Sequence, residues 1–325
     1  MTEFDPYLHD PLRWGASMVH HSEVLLGCLA ATGATSVAEI GAYAGDLTRV
    51  LVDWADRSGG TVIAIDPAPQ PALVEMARRH ERLRLIRRTS LYALPDLELP
   101  DVVIIDGDHN YYTVEQELIA IARRADGAPL PLLLFHDVAW PHARRDDYFD
   151  PAQIPADYRH QLVPAGYGIT PGNPKSTPDG LPYPKSAVVE GGARNGVLTA
   201  VEDFVAGSHE LRLIVVPAFF GFGAVWPRSA PWADGVAAVL DPLDRNPLLA
   251  RLEANRVLHI ATEHALRHQV WDTDERLTRT NRLLERLLQS SAFGVAERLS
   301  KLRVRAGIAE HQSVISKDEV REALR

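Results

Sequence analysis

Through the first two thirds of the chain, short apolar runs alternate with stretches of helical periodicity. Apolar residues recur at helical spacing over 18–32, and Gly33 follows as the expected C-cap. Strand-like runs then stand at 36–40, 61–65, 83–87, 102–105 and 130–135, separated by helical stretches at 46–55, 70–79 and 114–123. This rhythm predicts an α/β fold with a doubly wound, mostly parallel sheet.

Residues 139–195 break the rhythm with a Pro, Gly, Asp and Tyr-rich segment of little periodicity. A long segment of that kind inside a compact domain usually carries function or is disordered. The αβ pattern resumes with a helix expected at 196–206 and strands at 212–216 and 219–226, separated only by Pro217 and Ala218. Such a short connection predicts an antiparallel edge hairpin, which places the insertion over the carboxyl edge of the sheet. From 247 to 288 leucines and alanines recur amid charged residues, which predicts an amphipathic helical C-terminal extension interrupted near Asp272. Ser316 with Glu319 forms a capping box for a last short helix.

Composition narrows the class without changing this picture. The apolar share of 46% and charged share of 24% are those of a globular protein, and a net charge of -9 argues against nucleic acid or an anionic membrane as partner. Cys28 is the single cysteine, so neither an intramolecular disulfide nor a cysteine zinc site is available. The stretch MTEFDPYLHDPLRW has no apolar h-region, and no run is long enough to span a bilayer, so the expected location is cytoplasmic and the expected partner a small molecule.

Chemistry concentrates where strands end. In VAEIGAYAGDL, Glu39, Gly41, Ala42 and Gly45 sit on the first strand-to-helix turn; the ExGxxxG spacing lacks the third glycine of a pyrophosphate site and fits a cofactor without phosphates. Asp66 ends the second strand, where an acid commonly accepts from ribose hydroxyls, and Ser90 follows the third. The run DVVIIDGDHNYY carries Asp106, Asp108 and His109 past a buried strand, and LLLFHDVAW carries His136 and Asp137 past its neighbour. Adjacent carboxylates repel unless a proton or cation is shared. Carboxylates alone suit a Mg²⁺-like ion, whereas a histidine ligand favours Mn, Fe or Zn. Taken one at a time, Asp108 or His109 reads more simply as a helix cap; His20 and His21, before the first helix, are within reach of the cofactor cleft, but such a pair at a helix start is more often surface or capping. His142, Tyr148, Tyr167 and Tyr183 fall in the insertion, which reads as an acceptor-binding lid.

Together VAEIGAYAG, VVIIDGDHNYY and LLLFHDVAW resemble the class I S-adenosylmethionine-dependent methyltransferases. Within these, the likeness is to O-methyltransferases of the catechol and caffeoyl-CoA type and to a bacterial branch that modifies sugars and antibiotics. The resemblance spans about residues 19–226. It implies a methyltransferase domain over 1–230, a lid at 139–195 and a helical extension over 231–325. It also implies that Glu39, Gly41, Ala42 and Gly45 line the methionine part of S-adenosylmethionine, that Asp66 binds its ribose, and that Ser90, Asp106 and Asp108 border the cofactor. Asp106, His136 and Asp137 would hold a divalent metal, Mg²⁺ in the first instance, with His136 standing where the family has a carboxylate. His109 occupies the family's general-base position, and its near-neutral unperturbed pKa suits that work. The expected reaction is methylation of a hydroxyl on a sugar, catechol or polyketide-like acceptor, with catalysis by His109, Asp106 and Asp137. The C-terminal helices are expected to mediate a homo-oligomer. Two other classes stay open at this stage, a noncatalytic scaffold on the cofactor fold and a metal-assisted enzyme of different chemistry.

Overall fold

A computed structural model describes residues 14–178, 180–312 and 314–324; the N-terminal stretch read as lacking an apolar h-region lies outside them except for Trp14. A 3₁₀ turn, Met18–His21, leads into α1, Ser22–Thr32, which ends on the left-handed Gly33. Then follow β1 (Ser36–Ile40), α2 (Asp46–Ser58), β2 (Thr61–Ile65), α3 (Pro71–Arg79), β3 (Leu83–Ile86), the single turn α4 (Ser90–Ala93), β4 (Val102–Ile105), α5 (Tyr111–Ala125) and β5 (Leu132–His136). The strand order is β3-β2-β1-β4-β5-β9-β8, where β8 is Leu211–Val216 and β9 is Phe222–Pro227.

Strands β1 to β5 are parallel, and their register levels the carboxyl ends, with Ile40 opposite both Ile65 and Ile105 and Ile105 opposite Phe135. The residues that follow these positions therefore emerge side by side. Alternation sends Val102 and Ile104 into one core layer and Val103 and Ile105 into the other. The first layer is filled by Leu25, Leu51, Leu73 and Val236, and the second by Leu118, Ile121 and Val201. Burial on both faces explains why β4 and β5 read as unbroken apolar runs.

Strand β9 runs antiparallel between β5 and β8, so the expected hairpin forms with its second strand inside the sheet. That strand starts at Phe222 and not at 219, because Phe219, Phe220 and Gly221 have φ of 47°, 65° and 97° and form a left-handed turn.

The insertion is an ordered unit. It contains the hairpin β6 (Gly168–Thr170) and β7 (Asn173–Thr177), and it leads into α6, Val197–Ala206. Asp146 stitches it to the domain: Oδ1 accepts from the backbone N of Tyr111 and of Gly196, each at 2.7 Å, and Oδ2 accepts from the Tyr148 hydroxyl at 2.9 Å. Fully buried Arg145 donates to the carbonyls of Ala187 and Pro174. Replacing Asp146 by Ala orphans two buried N–H groups, and the expected loss is about 2–5 kcal/mol of stability in urea unfolding. A change below ~0.5 kcal/mol would show that the insertion is held elsewhere.

Two compact units divide at Thr262 and Glu263. The first runs past the boundary expected at 230: helix α7, Ala233–Leu240, packs on α1, with Gly27 and Gly235 at the contact. Helix α8, Pro247–Gln289, crosses the division without the break expected near Asp272. In the second unit α9 (Ser291–Arg305) and α10 (Lys317–Ala323) follow, with the capping box formed as expected between Ser316 and Glu319. Leu266, Val270, Trp271 and Leu277 are exposed on α8. Among the described residues no helix is long and apolar enough to cross a membrane.

Candidate active site

The level ends of β1, β4 and β5 open into a cavity of about 870 Å³, near the upper end of the roughly 300–1,000 Å³ usual for small-molecule sites. Glu39, Gly41, Ala42, Asp66, Ser90, Asp106, Asp108, His109 and Asp137 all line it. Gly45 and His136 do not. Gly45 caps α2 in a left-handed conformation beside Leu73 and Met76, and His136 is buried below the wall.

On the β1 side, the turn is built by the backbone. Gly41 N donates to the Ile65 carbonyl at 2.9 Å, and Asp66 accepts from Tyr43 N at 2.8 Å and from Ala68 N at 2.7 Å. The Asp66 carboxylate thus fixes the glycine turn while facing the cavity. Glu39 is buried and accepts from the Thr48 hydroxyl at 2.6 Å; burial pushes its carboxyl up to about 8. Beneath Ser90, burial likewise pushes Glu117 of α5 up to about 8.

On the β4 and β5 side, three side chains converge. His136 Nδ1 lies 3.2 Å from Asp106 Oδ1 and 3.1 Å from Asp137 Oδ2, and one ligand atom from each of the three residues falls within 4.8 Å of the others. His136 Nε2 is 3.0 Å from the Phe219 carbonyl, which only accepts, so Nε2 carries the hydrogen. Nδ1 is then directed at two carboxylates without hydrogen-bond geometry to either. A lone pair among carboxylates requires a proton or a cation between them, and a site of two carboxylates and one imidazole fits a divalent transition ion or Mg²⁺. Burial opposes charge on His136, but Asp137 and Asp106 outweigh it and hold its pKa well above the usual range. Burial would raise Asp137, yet His136 and His109 hold it well below the usual range. Asp137 also has φ of 58°, a left-handed conformation uncommon for a residue with a Cβ.

His109 Nδ1 is 2.9 Å from Asp137 Oδ2, which orients the ring. Burial lowers its pKa, but the Asp137 carboxylate dominates and carries it to about 9. His142 stacks on His109 with centroids 5.2 Å apart, and Tyr183 meets His142 edge-on at 5.3 Å. Of the insertion's four aromatic candidates, His142 and Tyr183 therefore line the cavity, Tyr148 is buried beside Asp146, and Tyr167 is exposed. Both Asp108 oxygens are engaged, with Thr113 at 3.0 Å and with the backbone N of Phe149 at 2.9 Å, so Asp108 anchors the insertion at the cavity rim.

Two contributors, Asp147 and Glu253, gave no signal in the sequence, and a third, His21, carries the local pattern of a surface or capping residue. His21 is buried against His136 and Phe222 and not on the surface; burial lowers its pKa to about 3. Asp147 lines the cavity, its backbone N bonded to the His109 carbonyl. Glu253 accepts from Phe219 N and Phe220 N. Each reaches the site by long-range folding, which no local pattern reports.

These shifts fix a pH dependence for the metal-free protein. Stability from neutral Glu39 and Glu117 is present below their ordinary 4.5 and lost as pH rises through about 8; that from charged His109 is present below 6.5 and lost through about 9. Thermal melts in chelator should therefore fall in midpoint from pH 6.5 to 9. A midpoint rising over that interval would contradict the assignments.

Residues 38–138 match the family model for a methyltransferase domain. No curated protein matches the sequence. Among solved structures, the chain is similar to a methyltransferase of Podospora anserina bound to S-adenosylhomocysteine, at 13% identity and TM-score 0.38, over 69% of this chain and 88% of that one. Human N-acetylserotonin methyltransferase matches at 12% identity and TM-score 0.37, over 68% and 55% of the two chains. An N,N-8-amino-8-demethyl-D-riboflavin dimethyltransferase of Streptomyces davawensis matches at 16% and 0.38, over 65% and 54%.

Proposed function

We propose that this chain, an S-adenosylmethionine-dependent methyltransferase, methylates a hydroxyl group of a small acceptor with the help of a divalent cation. The observation that carries the reading is the convergence of Asp106, Asp137 and His109 at the wall of the cavity that holds the glycine turn, with His136 buried directly behind them and its Nδ1 within 3.2 Å of both carboxylates.

The turn at Gly41 and Ala42 with Asp66 would hold the cofactor, which supplies an electrophilic methyl group on a sulfonium centre when bound. A cation on Asp106, His136 and Asp137 would supply the charge that lowers the pKa of an acceptor hydroxyl. Asp137 holds His109 by Nδ1, which leaves Nε2 to take the acceptor's proton. Tyr183, His142 and Phe149 line the same cavity and would border the acceptor. Among the described residues that line the cavity there is no lysine or arginine, while Asp147 and Asp150 add to its acids. That lining favours an uncharged or cationic polyol or catechol over a phosphorylated or coenzyme A-linked acceptor.

Titration with Mn²⁺, followed by electron paramagnetic resonance, tests the cation site. One ion per chain is expected, with affinity reduced at least ~10-fold in Asp137→Ala and in His136→Ala. Equal affinity in all three proteins would remove the metal from the account.

A further inference from the structure

We propose that Glu253, at the start of α8, is a positioning residue for the cation site, acting through the Phe219–Phe220 turn on His136. The inference rests on the reading of Asp106, His136 and Asp137 as metal ligands.

Consecutive left-handed residues with bulky side chains are sterically unfavourable, and Phe219 and Phe220 are such a pair, at φ of 47° and 65°. Something must hold them. The Glu253 carboxylate accepts from Phe219 N at 3.0 Å through one oxygen and from Phe220 N at 2.8 Å through the other. It spans the two amides as a single clamp. Arg256, one turn further along α8, grips the same carboxylate at 2.6 and 2.7 Å and lays its guanidinium over the Phe220 ring, 4.4 Å from the centroid. Arg256 also donates to the Trp14 carbonyl, which ties the clamp to the residues before α1.

The consequence reaches the site through one atom. With both amides turned toward α8, the Phe219 carbonyl meets His136 Nε2 at 3.0 Å. That bond places the ring hydrogen on Nε2 and leaves Nδ1 for the cation, between Asp106 and Asp137. A ligating histidine is commonly fixed in this way by an acceptor on its other nitrogen, and loss of such a partner typically weakens metal binding 10–100-fold. Gly15 reinforces the arrangement: a Cβ there would meet the Phe219 ring at 2.7 Å. Helix α8, which carries no cavity-lining residue, thus sets the ligand geometry from outside.

The test compares full-length Glu253→Gln with the unchanged protein by Mn²⁺ affinity and by calorimetric affinity for S-adenosylhomocysteine. The expected result is Mn²⁺ binding weakened about 10-fold or more with the cofactor product bound as before. Adding Phe219→Gly should recover part of the Mn²⁺ affinity, because glycine adopts the left-handed turn unaided. Unchanged Mn²⁺ affinity in Glu253→Gln overturns the proposal, as does equal weakening of both ligands, which would indicate general loosening. If the unchanged protein itself binds no Mn²⁺, the metal reading fails, and this inference with it. Should Glu253→Gln not fold, ¹⁵N spectra of His136 in the Mg²⁺-loaded protein decide: hydrogen on Nε2 supports the clamp, and hydrogen on Nδ1 overturns it.

Discussion

Replacing His109 by Ala is expected to lower turnover by about 10²–10⁴-fold while leaving affinity for S-adenosylhomocysteine nearly unchanged. The size follows from the role of general base, and the selectivity from position. His109 follows β4 and leans on Asp137, whereas the glycine turn and Asp66 lie on β1 and β2. A pH profile separates this role from a structural one. Without a cation the ring pKa stands near 9, held up by Asp137 against burial. A cation shared with Asp137 draws on the same carboxylate and disfavours the charged ring, so the working pKa falls below that value. Turnover should rise with pH through this lower pKa, and the rising limb should vanish in His109→Ala. A variant that keeps the limb would show that another group takes the proton.

Gly41→Ala should have an equally large effect by a different route. Gly41 has φ of 88°, and a Cβ there would lie 1.9 Å from the Asp106 carbonyl oxygen and 2.6 Å from Gly107 Cα. Those neighbours are backbone, so neither can rotate aside. The ends of β1 and β4 must separate, at a cost of about 3 kcal/mol or more, and Asp106 moves with its strand. Calorimetry should show weakened cofactor-product binding together with weakened Mn²⁺ binding, since one contact joins the two halves of the site. Gly59→Ala is the control. Its φ is similar, 78°, but nothing lies within 4 Å of a Cβ there, so only the backbone term of ~1–2 kcal/mol is expected and both affinities should hold.

The parallel strands were legible because burial on both faces leaves a continuous apolar run, as in VVII of β4 and LLLFH of β5. The same burial explains why polar residues stand out where these strands stop, so that Asp106, His109, His136 and Asp137 could be named from the chain alone. The turn at Phe219 was not legible, since two phenylalanines after Pro217 continue an apolar strand pattern, and the left-handed alternative is held by distant partners, the α8 carboxylate on both amides and Ala139 N on the Phe220 carbonyl. His21 read as a surface residue because nothing near it in sequence announces that β5 and β9 pack over its ring. Helix α8 read as interrupted at Asp272 because its middle turns are exposed, so polar residues there carry no information about a break. The insertion resisted reading for a further reason: its order comes from Arg145, Asp146 and Asn195, buried polar groups whose partners are dozens of residues away.

Mass spectrometry of acceptors incubated with S-adenosylmethionine and Mg²⁺ or Mn²⁺ tests the account most directly, using vicinal-diol sugars and catechols with the unchanged protein beside His109→Ala. The account predicts an acceptor carrying one added methyl group on oxygen, with one S-adenosylhomocysteine formed per product, from the unchanged protein and a trace at most from the variant. Equal product from both proteins, or methylation of nitrogen or carbon in place of oxygen, would contradict it.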